Sequence, residues 1–169
     1  MRASSGLTRA APGLFQPRSF PVVRSQAVRA QEDGREGASA YLSRGRVLIV
    51  EDEYFVALDI EDALSSVGFT VVGIATTAEE ATRMAEAERP DVVLMDIRLA
   101  GPRDGIEAAA EIRNRLGIRS LFATAHSDAG TRSRGDEAAS PLGWLTKPYT
   151  GSEVVLAVTK AIARVRGGV

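Results

Sequence analysis

Val92-Val93-Leu94-Met95-Asp96 sets four apolar residues in unbroken succession before a carboxylate. A short uninterrupted apolar run is the pattern of a strand covered on both faces, which a parallel sheet between two layers of helices requires. Asp96 falls where that strand surfaces, and open parallel sheets collect ligands and chemistry at the carboxyl ends of their strands. A second run of the same kind, Val47-Leu48-Ile49-Val50, also ends in acids, Glu51-Asp52-Glu53.

The chain around these two runs alternates strand and helix patterns. Val56, Ala57, Ile60, Leu64 and Val67 share about a third of a helical wheel, with Asp59, Glu61 and Asp62 elsewhere and Gly68 as the stop. Residues 69–74 read as a second strand, and Thr77 with Glu80 has the spacing of a capping box for an Ala-rich helix that ends before Pro90. After Asp96, Gly101-Pro102-Arg103 is a loop. Asp104 and Glu107 open a third helix that turns Ile106, Ala109, Ile112 and Leu116 inward and stops at Gly117. Residues 120–123 form a fourth strand ending at Thr124. Residues 127–140 hold Gly130 and Gly135 and lack an apolar stripe, so a helix there is the least stable of the set. Residues 142–145 form a fifth strand before Lys147-Pro148, and Gly151-Ser152-Glu153 opens a last helix with Val155, Val158, Ile162 and Val165 as its apolar face.

Strands alternating with helices at these spacings predict a three-layer α/β domain, a doubly wound five-stranded parallel sheet with right-handed crossovers. Its expected strand order is the flavodoxin-like 2-1-3-4-5, which brings Glu51, Asp52 and Asp96 into one crevice. Glu51-Asp52 alone would read as a solvated loop; Asp96 in register turns the three into a site. Three adjacent carboxylates repel unless a cation neutralises them. Mg²⁺ suits such an oxygen-only site with room for waters and a phosphate oxygen. The ends of strands four and five add the Thr124 hydroxyl and the Lys147 ammonium, completing a constellation for phosphoryl transfer to an aspartate nucleophile.

Composition excludes other classes. The absence of cysteine removes disulfide frameworks, thiolate metal sites and cysteine nucleophiles, and a cytoplasmic location is expected. No apolar run approaches the roughly 20 residues of a membrane-spanning helix. The net charge of −1 conceals eight arginines against three acids in residues 1–46, a balance of +5 that leaves −6 for the remainder. An acidic domain disfavours nucleic-acid binding, which needs clustered Lys and Arg. Residues 1–44 read as a disordered basic tail and 45–169 as the folded domain. The first thirty residues, Arg-rich and free of acids, share the composition of an organelle transit peptide.

Five separated motifs, residues 47–53, Met95-Asp96-Ile97, Asp104-Gly105, Ala123-Thr124-Ala125 and Leu145-Thr146-Lys147-Pro148, together resemble a response-regulator receiver domain over residues 46–166. The resemblance implies that Asp96 is the phosphoacceptor, supplied by a histidine kinase or a histidine phosphotransfer protein. It implies that Asp52 and Asp96 bind Mg²⁺, Glu51 mainly through water, and Arg98 by its backbone carbonyl. Lys147 would pair with the acylphosphate, Thr124 would swing toward it, and Trp144 would be the aromatic whose rotamer couples to phosphorylation. By the same resemblance Lys147-Pro148 is cis. Residues 121–126 resemble a branch with a Phe-Ala-Thr-small-aromatic signature, with His126 in the aromatic place. Receivers usually carry Pro four residues after the acceptor; here Ala100 stands there, and the loop to Asp104 is one residue longer.

The function these features imply is a single-domain response regulator that signals by phosphorylation-dependent protein contact or phosphorelay, as a monomer or weak dimer, without direct DNA or membrane binding. Two alternatives stay open: a receiver-like interaction module that works unphosphorylated, and an aspartyl-phosphate hydrolase. The hydrolase generally needs a second acid near the nucleophile, and the position two beyond Asp96 is Arg98.

Overall fold

The computed structural model describes residues 44–125 and 128–167. All but the last residue of the expected basic tail, and His126, lie outside them. Ten elements alternate: β1 (Arg46–Val50), α1 (Tyr54–Ser66), β2 (Thr70–Ala75), α2 (Ala78–Glu88), β3 (Val92–Asp96), α3 (Gly105–Leu116), β4 (Ser120–Thr124), α4 (Ala129–Ala139), β5 (Gly143–Thr146) and α5 (Gly151–Gly167). The strands are parallel and lie in the order β2-β1-β3-β4-β5, as the sequence pattern predicts.

The continuous apolar runs are explained by the layers. Side chains alternate across a strand, so Val47, Ile49, Val92 and Leu94 pack on one face with Ala57, Ile60 and Leu64 of α1 and Val158 and Ile162 of α5. Leu48, Val50, Val93 and Met95 pack on the other with Ala81 and Ala85 of α2 and Ile106 and Ile112 of α3. Both faces of β1 and β3 are therefore covered, and only their carboxyl ends reach the rim.

Local signals mostly hold. Asp104 and Glu107 form a reciprocal capping box on α3, and Gly117 closes that helix in the left-handed conformation at φ 72°. At α2 the box is only half made. Thr77 accepts from Glu80 N, but the Glu80 carboxylate takes the N–H and hydroxyl of Thr76, which offers two donors to one acceptor group. The inward face of α5 is Val154, Val158, Ala161 and Ile162. Val155 is half-buried and Val165 is 39% exposed, so the expected face was rotated by about one residue from the side that meets the sheet. The stretch without a stripe does form a helix, α4, which buries only Gly135 and Ala139.

Candidate functional site

The parallel register sets the site. Val50 lies beside Met95 and Asp96 beside Ala123, so the β1, β3 and β4 ends open onto one crevice. One carboxylate oxygen from each of Glu51, Asp52 and Asp96 lies within 4.8 Å of the others. Glu51 and Asp96 are buried, Asp52 exposed. Lys147 reaches in from the residue after β5, with Nζ 2.6 Å from Glu51 Oε2 and 2.5 Å from Asp96 Oδ2. Its backbone N–H donates to the Thr124 carbonyl at 2.9 Å, tying the ends of β4 and β5 together, and Thr124 itself is buried. The Lys147-Pro148 peptide is cis.

Electrostatics follow from burial and pairing. Burial pushes the Glu51 carboxyl above its ordinary 4.5; the hydrogen bond from Lys147 pulls it down and the neighbouring Asp96 charge pushes it up, with a net rise. Burial alone would lower Lys147, but hydrogen bonds and charges from Asp96 and Glu51 outweigh it and hold the ammonium above its ordinary 10.5. The lysine is therefore a permanent cation here. Tyr149, which sequence reasoning passed over, sits two residues on, its buried hydroxyl without a hydrogen-bond partner and its acidity weakened by burial to about 12.

The residues fit a hard divalent cation. The donor set is all carboxylate oxygen, as Mg²⁺ prefers. Glu51 Oε1 is buried without a hydrogen-bond partner, although Oε2 of the same group is held by Lys147. A buried carboxylate oxygen left unsatisfied is costly, and a cation or a water bound to one would satisfy it.

The loop after Asp96 is held against the end of β3. Asp96 Oδ1 accepts from Arg98 N at 3.1 Å, and Gly105 N donates to the Ile97 carbonyl at 2.8 Å. A Cβ on Gly105 would lie 1.9 Å from the Asp96 carbonyl oxygen. Hence the glycine after Asp104 allows α3 to start directly against the β3 end. The longer loop is tied down by Arg103, whose guanidinium meets Glu111 of α3 at 2.7 Å and Glu79 of α2 at 3.9 Å, and Ala100 bridges to Thr77. The Arg98 side chain is exposed. Trp144, on β5, turns its ring toward α4 and is half-buried against Phe122 with ring centroids 4.8 Å apart.

An apolar cleft of about 470 Å³ adjoins the crevice, lined by Val56, Ile60, Lys147, Pro148 and Tyr149 among others. Tyr54 and Phe55, in the first turn of α1 beyond Glu53, are 66% and 79% exposed. The inward face of α1 follows from its sequence, but this outward pair does not, because two adjacent exposed aromatics have no period.

A doubly wound sheet with an acid cluster, a lysine and a hydroxyl at its strand ends defines a phosphoryl-accepting class of α/β domain. Residues 47–159 match the response regulator receiver domain, and the chain belongs to that family. The transcriptional regulatory protein PdtaR of Mycobacterium tuberculosis is 36% identical over 121 residues, 72% of this chain and 58% of that protein. The phyllosphere-induced regulator PhyR of Methylorubrum extorquens is 31% identical over 132 residues, 78% of this chain and 48% of that protein. The chain thus spans about half the length of these curated relatives. The signal receiver domain of a modulated diguanylate cyclase from Desulfovibrio desulfuricans superposes with a TM-score of 0.68 at 34% identity, covering 74% of this chain and 98% of that one. No described helix is long and apolar enough to cross a membrane.

Proposed function

We propose that Asp96 accepts a phosphoryl group from a histidine kinase or a histidine phosphotransfer protein, and that the resulting acylphosphate switches the domain's contacts with a downstream protein or passes the group along a relay. The observation that supports this best is the Lys147 ammonium bridging Glu51 and Asp96 in a crevice that also holds Asp52 and an unsatisfied buried oxygen. In the transfer, an Asp96 carboxylate oxygen attacks phosphorus. The phosphorus–nitrogen bond to the donor imidazole breaks, its electron pair stays on the imidazole, and an acylphosphate forms.

Glu51, Asp52 and Asp96, with the Arg98 carbonyl, are the residues that would hold Mg²⁺. The bound ion would neutralise the oxygens of the transferring group and of the acids. Lys147 is already seated on Asp96 and would stay paired with the modified side chain as a fixed positive charge. Thr124, at the neighbouring strand end, would hydrogen-bond a phosphoryl oxygen. Added charge in a crevice biases a two-state element, and α4, with its small buried face, is the element that moves most cheaply, Trp144 following it. The exposed Tyr54-Phe55 pair and the adjoining cleft give the phosphodonor apolar surface beside the acceptor.

Intact mass after incubation with a small phosphodonor and Mg²⁺ tests this, comparing wild type, Asp96→Asn and a metal-free control. One added phosphoryl group, dependent on the metal and absent in the variant, is expected. A folded wild type that gains none, under conditions that preserve acylphosphates, would leave the phosphorylation-independent interaction module as the reading.

A further inference from the structure

One turn of α4 grips the Trp144 ring from three sides. Asp136 Oδ1 accepts the indole N–H at 2.9 Å, and the Arg132 guanidinium lies 5.3 Å from the ring centroid. Gly135 faces the ring edge so closely that a Cβ there would stand 2.7 and 2.9 Å from two of its carbons. Phe122, fully buried in the core, also packs against the ring. The far end of the helix is fastened separately: Arg119 donates to the Ser140 and Pro141 carbonyls, Arg164 to the Leu142 carbonyl, and Leu142 N to Ser120 O. At its start, the Asp128 carboxylate accepts from the N–H and the hydroxyl of Thr131 in the same turn.

An aromatic that turned freely between two rotamers would need none of these contacts. Here the ring cannot leave its seat without giving up a hydrogen bond to a carboxylate and its contact with the Gly135 backbone. Between its two ends, α4 is tied to the rest of the domain by the ring, by the Arg134–Asp104 ion pair to the start of α3 and by Ala139 in the core.

We propose that Asp136 and Gly135 are positioning residues that latch Trp144 to α4, so that ring and helix move as one unit, and that this latch sets how far the resting domain is biased against phosphorylation. The inference rests on the phosphoacceptor reading of Asp96. Glycine is required at 135 because any side chain would occupy the ring's place, and Asp136 supplies the acceptor that the indole needs once half-buried. Losing one such hydrogen bond shifts the ratio of latched to released states by about five-fold. In this coupling, whatever phosphorylation does to the ring it does to the helix, and loss of the latch by mutation weakens the hold on the resting position of both.

The chain has a single tryptophan, so its fluorescence reads the latch directly. Acrylamide quenching would be measured on the full chain as wild type, Asp136→Ala, Asp136→Asn and Gly135→Ala, each with and without Mg²⁺ and beryllofluoride, an acylphosphate mimic. Phosphorylation at sub-saturating phosphodonor would be followed in parallel by intact mass. Asp136→Ala is expected to raise quenching in the resting protein above that of resting wild type and to increase the phosphorylation rate several-fold. Asp136→Asn keeps an acceptor oxygen and should restore both. Gly135→Ala should match Asp136→Ala wherever circular dichroism shows it folded. Quenching of Asp136→Ala equal to wild type overturns the latch, and so does altered quenching with an unchanged phosphorylation rate, or failure of Asp136→Asn to restore. Absence of a phosphoryl adduct on wild type overturns the acceptor reading instead, while the resting-state quenching still reports on the latch.

Discussion

Replacing Lys147 by Met keeps the apolar stem and removes the ammonium that separates two buried acids. Carboxylate oxygens of Glu51 and Asp96 lie within 4.8 Å of one another, and two unit charges at that distance repel by about 3.5 kcal/mol at an effective dielectric of about 20. Breaking a buried ion pair by deleting one partner costs about 3–5 kcal/mol; the open side of the crevice puts the expected loss near the lower value, about 3 kcal/mol, or about 10 °C in Tm for a domain of this size. The loss depends on pH in a defined direction. Glu51 already titrates above its ordinary 4.5 in the folded protein, chiefly through burial, and without the lysine it rises further. A carboxyl whose folded value is raised binds its proton more tightly when folded. The penalty is therefore full above the folded value and disappears as pH falls toward 4.5. Chemical denaturation of wild type and Lys147→Met at about pH 8 and about pH 5, with and without Mg²⁺, measures it. The variant should recover most of its deficit at the lower pH, and Mg²⁺ should stabilise it more than wild type at the higher pH, because the cation takes over the missing charge. An equal deficit at both pH values with no response to Mg²⁺ would refute the electrostatic account of the crevice.

Three further outcomes follow from the geometry. Gly105→Ala places a Cβ 1.9 Å from the Asp96 carbonyl oxygen, against backbone that has no flexible side chain to yield; a loss of about 3 kcal/mol or more is expected, and a urea midpoint equal to wild type would contradict the close approach. Asp104→Ala removes the α3 cap and should lower stability by about 1 kcal/mol, whereas Asp104→Asn keeps the cap while losing the ion pair to Arg134; equal melting of the Ala and Asn variants would assign the effect to the ion pair. The raised Lys147 contributes stability that is complete below lysine's ordinary 10.5 and is lost as pH climbs above it, so wild type should show an alkaline decline in Tm that Lys147→Met lacks.

Much of this domain is legible without coordinates. Apolar runs at 47–50 and 92–95, each closed by acids and set among helix patterns, fit central parallel strands, because helices on both sides of such a sheet cover both faces of a strand and leave its last residue at the rim. From that placement the grouping of Glu51, Asp52 and Asp96 follows, since strand order and register are properties of the backbone that every residue in the run reports together. Asp104 and Gly117 likewise announce the ends of α3 through local chemistry that depends on a few neighbouring residues.

What tertiary structure decided are relations between residues on different elements whose types carry no spacing signal. Asp136 as the partner of the Trp144 indole, Gly135 against its ring, Arg103 spanning Glu79 and Glu111, and Gly105 against the Asp96 carbonyl each depend on how two elements approach, not on the period of either. The rotated face of α5 belongs here too: Val155 and Val165 are as apolar as Val154 and Ala161, and only the angle at which the helix meets the sheet chose between them. Sequence specifies which residues must be buried or charged at a strand end; packing at close range specifies which of several chemically equal neighbours they touch.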